Sequence, residues 1–104
     1  MGYFDKFKHD GIPFMDSRKK GDMKDILEQP LHIIDFGFIK GKRGDFGVVA
    51  FKEYPENFYF VNAIITDMLR TVQVDGMEDE LAYQAITFYM KTSKDGNEYM
   101  TFEF

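Results

Sequence analysis

The chain has 104 residues, 44% of them hydrophobic, with twelve Phe, six Tyr and no Trp or Cys. That supports one packed domain, too small for two, and excludes wholesale disorder, disulfides and thiolate metal sites. A formal net charge of −5 excludes a protein that coats duplex DNA by charge alone.

The charge is uneven. Residues 1–45 carry nine Lys/Arg against eight Asp/Glu, net +1, and residues 46–104 carry four against ten, net −6. Partners read a local field, so a basic strip is compatible with an acidic total. The aromatic supply exceeds what so small a core takes up. Some rings are therefore expected at the surface or in an interface, where they can stack on something flat. No apolar run approaches the roughly 20 residues of a membrane span. The first eleven residues lack the apolar stretch of a signal peptide and the Ser or Thr of a myristoylation pattern. A cytoplasmic location is expected, and the lack of cysteine fits a reducing compartment.

Residues 1–22 show no sustained period and are expected to form an irregular arm, with local order at residues 12–15. Arg18, Lys19 and Lys20 are its densest basic run. That run reads either as a solvated loop or as a phosphate-contacting arm that also carries Tyr3, Phe4, Phe7 and Phe14. The domain proper is expected over residues 23–104. Residues 22–29 suit a short helical turn, with Asp22 as its cap, Met23, Ile26 and Leu27 on one face, and Pro30 as its stop.

Residues 31–71 organise the rest. Three short apolar runs, residues 31–40, 46–53 and 58–61, are rich in Phe, Ile, Val and Tyr and read as strands. The turns between them fall at residues 41–45 and 54–57. In the first strand Ile34, Phe36 and Phe38 share one side, and Leu31, Ile33 and Ile39 the other. A strand apolar on both faces lies mid-sheet or touches two layers, and Gly37 suggests a bulge. The third strand is too short for its faces to be assigned. Asn62 then offers an N-cap to a helix with Ile64, Ile65, Met68, Leu69 and Val72 on one face. Gly76 is its stop, and residues 77–81 make an acidic turn or a second short helix.

Residues 84–93 and 98–104 alternate as a closing hairpin. A two-residue Asp95-Gly96 loop mixes its faces. A three-residue Asp95-Gly96-Asn97 loop pairs Met90 with Phe102 and Phe88 with Phe104, with Asn97 left-handed. Its outer face then carries Tyr89, Lys91, Ser93, Tyr99 and Thr101. The order strand-strand-strand-helix-strand-strand predicts a mainly β protein, a five-stranded OB-fold-like Greek-key barrel with one helix between strands 3 and 4. The alternative is an α+β arrangement, a five-stranded sheet packed by one helix.

Catalysis finds little support, and neither a cofactor nor a metal is implied. His9 and His32 lie far apart, Glu78, Asp79 and Glu80 lack the spacing of a cation loop, and no Walker, GxSxG or EF-hand pattern occurs. Binding of oligonucleotides is better supported. OB-folds take them across strands 2 and 3, between the loops joining strands 1–2 and 4–5. Those loops carry Lys42 and Arg43, next to Lys40, and Lys94. The strands offer Lys52, Tyr59, Tyr89, Lys91 and Tyr99. Basic loops framing aromatic rings suit single-strand binding without sequence preference, because base stacking tolerates any sequence.

Several phrases, in order over residues 12–104, carry a family resemblance: Ile12-Pro-Phe-Met, His32-Ile-Ile-Asp-Phe-Gly, Val49-Ala-Phe-Lys-Glu, Phe58-Tyr-Phe-Val-Asn and Ser93-Lys-Asp-Gly-Asn-Glu-Tyr. The chain resembles small phage and mobile-element single-stranded-DNA-binding proteins of the OB-fold type. The resemblance implies binding of single-stranded DNA in replication or recombination, aided by other proteins of those processes. The rival expectation is an acidic interaction or inhibitor protein that turns Glu78, Asp79 and Glu80 toward a basic partner. Phe102 and Phe104 either finish the core or form the seam of a homodimer.

Overall fold

The computed structural model describes residues 13–42 and 44–104. Its strands are β1 (Lys19–Lys20), β2 (Pro30–Leu31), β3 (Ile33–Gly41), β4 (Gly44–Phe51), β5 (Tyr54–Phe60), β6 (Ile86–Thr92) and β7 (Glu98–Glu103). Helix α1 (Ala63–Val74) lies between β5 and β6, and the short α2 (Glu78–Leu81) follows it. The protein is mainly β, and its strands form two sheets, β1-β5-β4-β3 and β2-β6-β7. Among the described residues there are thus seven strands in two sheets where five were expected, which corrects the strand count of the barrel and the alternative of one five-stranded sheet. The first strand divides at His32: Pro30 and Leu31 pair with β6, while residues from Ile33 onward pair with β4.

A bulge explains why residues 31–39 look apolar on both faces. Ile33 pairs with Phe51 but Asp35 pairs with Ala50, so Ile34 is the extra residue. The bulge sits there and not at Gly37, which pairs regularly with Val48. One added residue inverts the alternation. Leu31 and Ile33 before it, and Phe36 and Phe38 after it, therefore all reach the main core, while Ile34 is exposed. Ile39 goes to the opposite face and a second cluster with Met15, Val48 and Phe58.

The turn between β4 and β5 falls at Lys52 and Glu53, earlier than the expected segment 54–57. A clamp fixes it: the His32 amide donates to Glu53 Oε1 at 2.8 Å, His32 Nδ1 meets Glu53 Oε2 at 2.7 Å, and the Lys52 amide donates to the His32 carbonyl. Tyr54 thus joins β5, with a second irregularity between Val49 and Phe51 in the pairing of β4 to β5.

Asn62 caps α1, its Oδ1 accepting from the Ile65 amide at 3.1 Å. Ile65 and Leu69 are fully buried, Met68 and Val72 partly, whereas Ile64 turns outward. The helix ends as Gly76 adopts φ 68°; its amide reaches the Gln73 carbonyl, and the Met77 amide reaches Val72. These are the two bonds of a Schellman stop.

Met23–Ile26 is a 3-10 turn, with the Asp22 carboxylate accepting from the Lys24 amide and Met23 and Ile26 in the core. It is shorter than the expected turn because Glu28 takes φ 60° and gives its amide to Phe88. The closing hairpin keeps the expected faces but shifts register by two residues: Met90 pairs with Met100 and Phe88 with Phe102. The Gly96 amide donates to the Ser93 carbonyl, and Gly96, not Asn97, takes the left-handed conformation (φ 85°). Glycine adopts it without a Cβ clash, which sets the loop at Lys94-Asp95-Gly96.

The described part of the expected arm is built into the sheet. Pro13–Ser17 is a 3-10 turn that buries Met15, and Lys19–Lys20 pair parallel with Asn57 and Phe58 of β5. Arg18 Nη1 donates to the Pro55 carbonyl, and the Gly21 amide donates to Phe58 at 2.8 Å. A Cβ on Gly21 would lie 2.3 Å from the Tyr59 ring, so this crossing requires glycine. Tyr3, Phe4, Phe7, His9 and Ile12 lie outside the described residues.

Candidate nucleic-acid interface

The pairing of β3, β4 and β5 sets Ile39 beside Phe46 and Val48 beside Phe60. These side chains, with Phe58, form the face of the meander that points away from the main core. Phe14 and Met15 cover part of it, and Val48 and Phe58 are buried beneath them. Phe46 and Phe60 remain only partly buried and pack edge to face, centroids 5.2 Å apart; Phe58 meets Phe60 the same way at 5.6 Å. Strand β1 brings the Lys20 ammonium to 5.1 Å from the Phe60 centroid. A cation at that range interacts favourably with the ring face.

Lys40 and Lys42 are exposed at the end of β3 and in the β3–β4 turn, near Ile39 and Phe46 in sequence. Asp45 in the same hairpin bonds Arg70 of α1, whose guanidinium also lies 4.1 Å from the Phe38 centroid. The local carboxylate is thus matched by a cation of its own, and the hairpin is tied to the helix. Arg43 lies outside the described residues.

The other expected positions fall elsewhere. Tyr59 is only 3% exposed and packs against Phe51 and Tyr54 inside the main core, so it offers no platform for a base. Burial, then the nearby Tyr54 and Asp25, push its phenol above the usual tyrosine value. Its inward turn follows from its pairing with Val49, an inward residue of β4. Lys52 is exposed in the turn clamped by His32. Tyr89, Lys91 and Tyr99 share the outer face of the hairpin, since Tyr89 pairs with Thr101 and Lys91 with Tyr99; Lys94 is exposed in the loop. They belong to the other sheet. Tyr89 borders a cavity of about 450 Å³ in which the charged groups are Glu28 and Glu103, an unfavourable wall for phosphate.

The geometry joins Lys20 to Phe46 and Phe60, leaves Lys40 and Lys42 at the tip of the same meander, and separates all of these from the hairpin group. Lys20 was legible through the basic run 18–20. Phe46 was legible only as a face-mate of Val48 in the second strand, and Phe60 carried no signal beyond its type, because the face of the third strand was open. Among the described residues no cluster of three or more His, Asp or Glu could hold a metal ion. No helix among them is long and apolar enough to cross a membrane. No protein-family model, curated protein or solved structure matches the chain.

Proposed function

We propose that the protein binds single-stranded DNA without sequence preference, on the outer face of β4 and β5, in an open barrel of the OB type. The barrel reading is supported by connectivity. β2 and β3, separated by His32 alone, serve both sheets, and a helix lies between the three-stranded meander and the closing hairpin. The Asn62 side chain also bridges the open side, its Nδ2 donating to the Met100 carbonyl of β7 at 2.7 Å. A setting in phage or mobile-element replication or recombination, implied by the resemblance, belongs to the same reading.

The observation that carries the binding reading is the Lys20–Phe60–Phe46 row. Partly exposed rings give bases a flat apolar partner, worth roughly 1–3 kcal/mol per stacked base. Lys20 beside Phe60, with Lys40 and Lys42 exposed at the tip of the same meander, supplies the cations that a phosphate backbone needs. Fluorescence anisotropy of labelled oligo-dT, at low and moderate salt and with a duplex control, tests the reading. The expected result is single-strand binding that weakens with salt and with Phe60→Ala, beside little duplex affinity. Absence of binding at about 100 μM protein in low salt, the weak end of the typical non-specific range, overturns it.

A further inference from the structure

We propose that the pole formed by the end of α1, α2 and Phe104 docks a basic amphipathic helix of another protein. An apolar groove of about 420 Å³ lies there, lined by Val72, Met77, Leu81 and Phe104 with Glu80 and Gln84. Its floor is Leu81, a buried core residue. Its walls stand exposed, Met77 at 46% and Phe104 at 61%.

The groove is held in shape. The helix stop bonds the Met77 amide to Val72 at 3.0 Å, and the Leu81 amide returns to the Met77 carbonyl at 3.1 Å. Phe104 packs edge to face on Phe102, which reaches the core. Exposed apolar clusters of this kind mark contact surfaces, and a methionine wall adapts to varied partners.

Charge selects the occupant. Glu80 lines the groove; Asp75, Glu78 and Asp79 are exposed on the same elements, Glu78 and Asp79 beside a neighbouring cavity, and residues 71–90 contain no Lys or Arg. The one cation of α1, Arg70, is engaged by Asp45. A second copy of this pole would oppose carboxylate to carboxylate, and a nucleic acid would meet the same repulsion. A helix with an apolar stripe bordered by Lys and Arg matches an apolar floor with Glu80 at its wall and further acids nearby. This pole uses none of the residues assigned to strand binding, so the two readings stand or fall separately.

The test is anisotropy of a labelled Leu/Lys amphipathic peptide of about 15 residues, beside a Ser/Lys peptide of equal length and charge. Binding of the Leu/Lys peptide is expected to be at least about tenfold tighter than that of the Ser/Lys peptide. The double variant Met77→Ser/Phe104→Ala should lose about tenfold toward the Leu/Lys peptide. Glu78→Gln/Glu80→Gln should weaken it mainly at low salt. Oligo-dT binding and the urea midpoint should stay unchanged, since all four side chains are exposed. Equal affinity for the two peptides, or a Met77/Phe104 variant that binds like the parent, overturns the proposal and leaves only attraction between charges.

Discussion

The amide of Gly47 in β4 donates to the buried hydroxyl of Thr66 in α1 at 2.8 Å, and that hydroxyl donates in turn to the Asn62 carbonyl at 2.8 Å. The Gly47 carbonyl meanwhile accepts from the Val61 amide at 3.0 Å. The helix thus rests on bare backbone. A Cβ at Gly47 would lie 2.9 Å from Val61 Cγ2 and 3.0 Å from Leu69 Cδ1, both in the core. Gly47→Ala should therefore cost about 1–3 kcal/mol, the usual range for overpacking. Thr66→Val keeps the volume but strands a buried amide, with a similar cost of about 1–3 kcal/mol, while Thr66→Ser keeps the bond. Urea unfolding reads these as shifts in midpoint at constant slope. A Gly47→Ala midpoint equal to the parent's would show that the helix does not press on β4 as described.

The clamp between His32 and Glu53 gives the fold an acid-sensitive joint. Burial by itself raises the Glu53 carboxyl, but the His32 side-chain and backbone hydrogen bonds outweigh it and hold the group below the usual glutamate value. A depressed carboxylate contributes stability that is present above its unfolded value and lost as pH falls through its folded value. The parent should thus lose stability on acidification below the ordinary glutamate range more steeply than Glu53→Gln. At neutral pH, Glu53→Ala should cost on the order of 1 kcal/mol, as both side chains are about one-third exposed. Urea midpoints measured at several pH values check both; parallel pH curves for parent and Glu53→Gln would remove Glu53 from the acid response.

Much of the element order could be read directly, because it rested on strong local signals. The Asn62 cap, the Gly76 stop and the alternation over residues 86–103 each involve few residues and one geometry. What could not be read depended on pairing across the chain. The bulge at Ile34 inverts a strand's faces through one unpaired residue, and Ile34 is not a residue type that announces it. The hairpin faces were legible from alternation, whereas the register turned on Gly96 outcompeting Asn97 for the left-handed position. Tyr59 illustrates the site problem. A tyrosine in a strand suits either face, and its place was decided by pairing with Val49. Lys20 came to the meander through the parallel contact of β1 with β5, a long-range pairing of two residues that no periodicity encodes.

The proposed interface also fixes how salt should act. If Lys20, Lys40 and Lys42 each neutralise one phosphate, binding releases about one counterion per contact. For single strands the logarithm of affinity then falls with the logarithm of salt at a slope near −0.7 per contact. Each Lys→Ala change should make the slope shallower by about 0.7, and the triple variant by about 2. Phe60→Ala should behave differently, lowering affinity by about 1–3 kcal/mol at every salt concentration, since stacking is not a counterion effect. Lys91→Ala and Lys94→Ala, on the other sheet, serve as matched charge controls and should leave the slope unchanged. Anisotropy titrations with oligo-dT over several salt concentrations separate these outcomes. A slope that responds to Lys91 and Lys94 but not to Lys20, Lys40 and Lys42 would move the strand from the meander to the hairpin, where Glu28 and Glu103 border Tyr89.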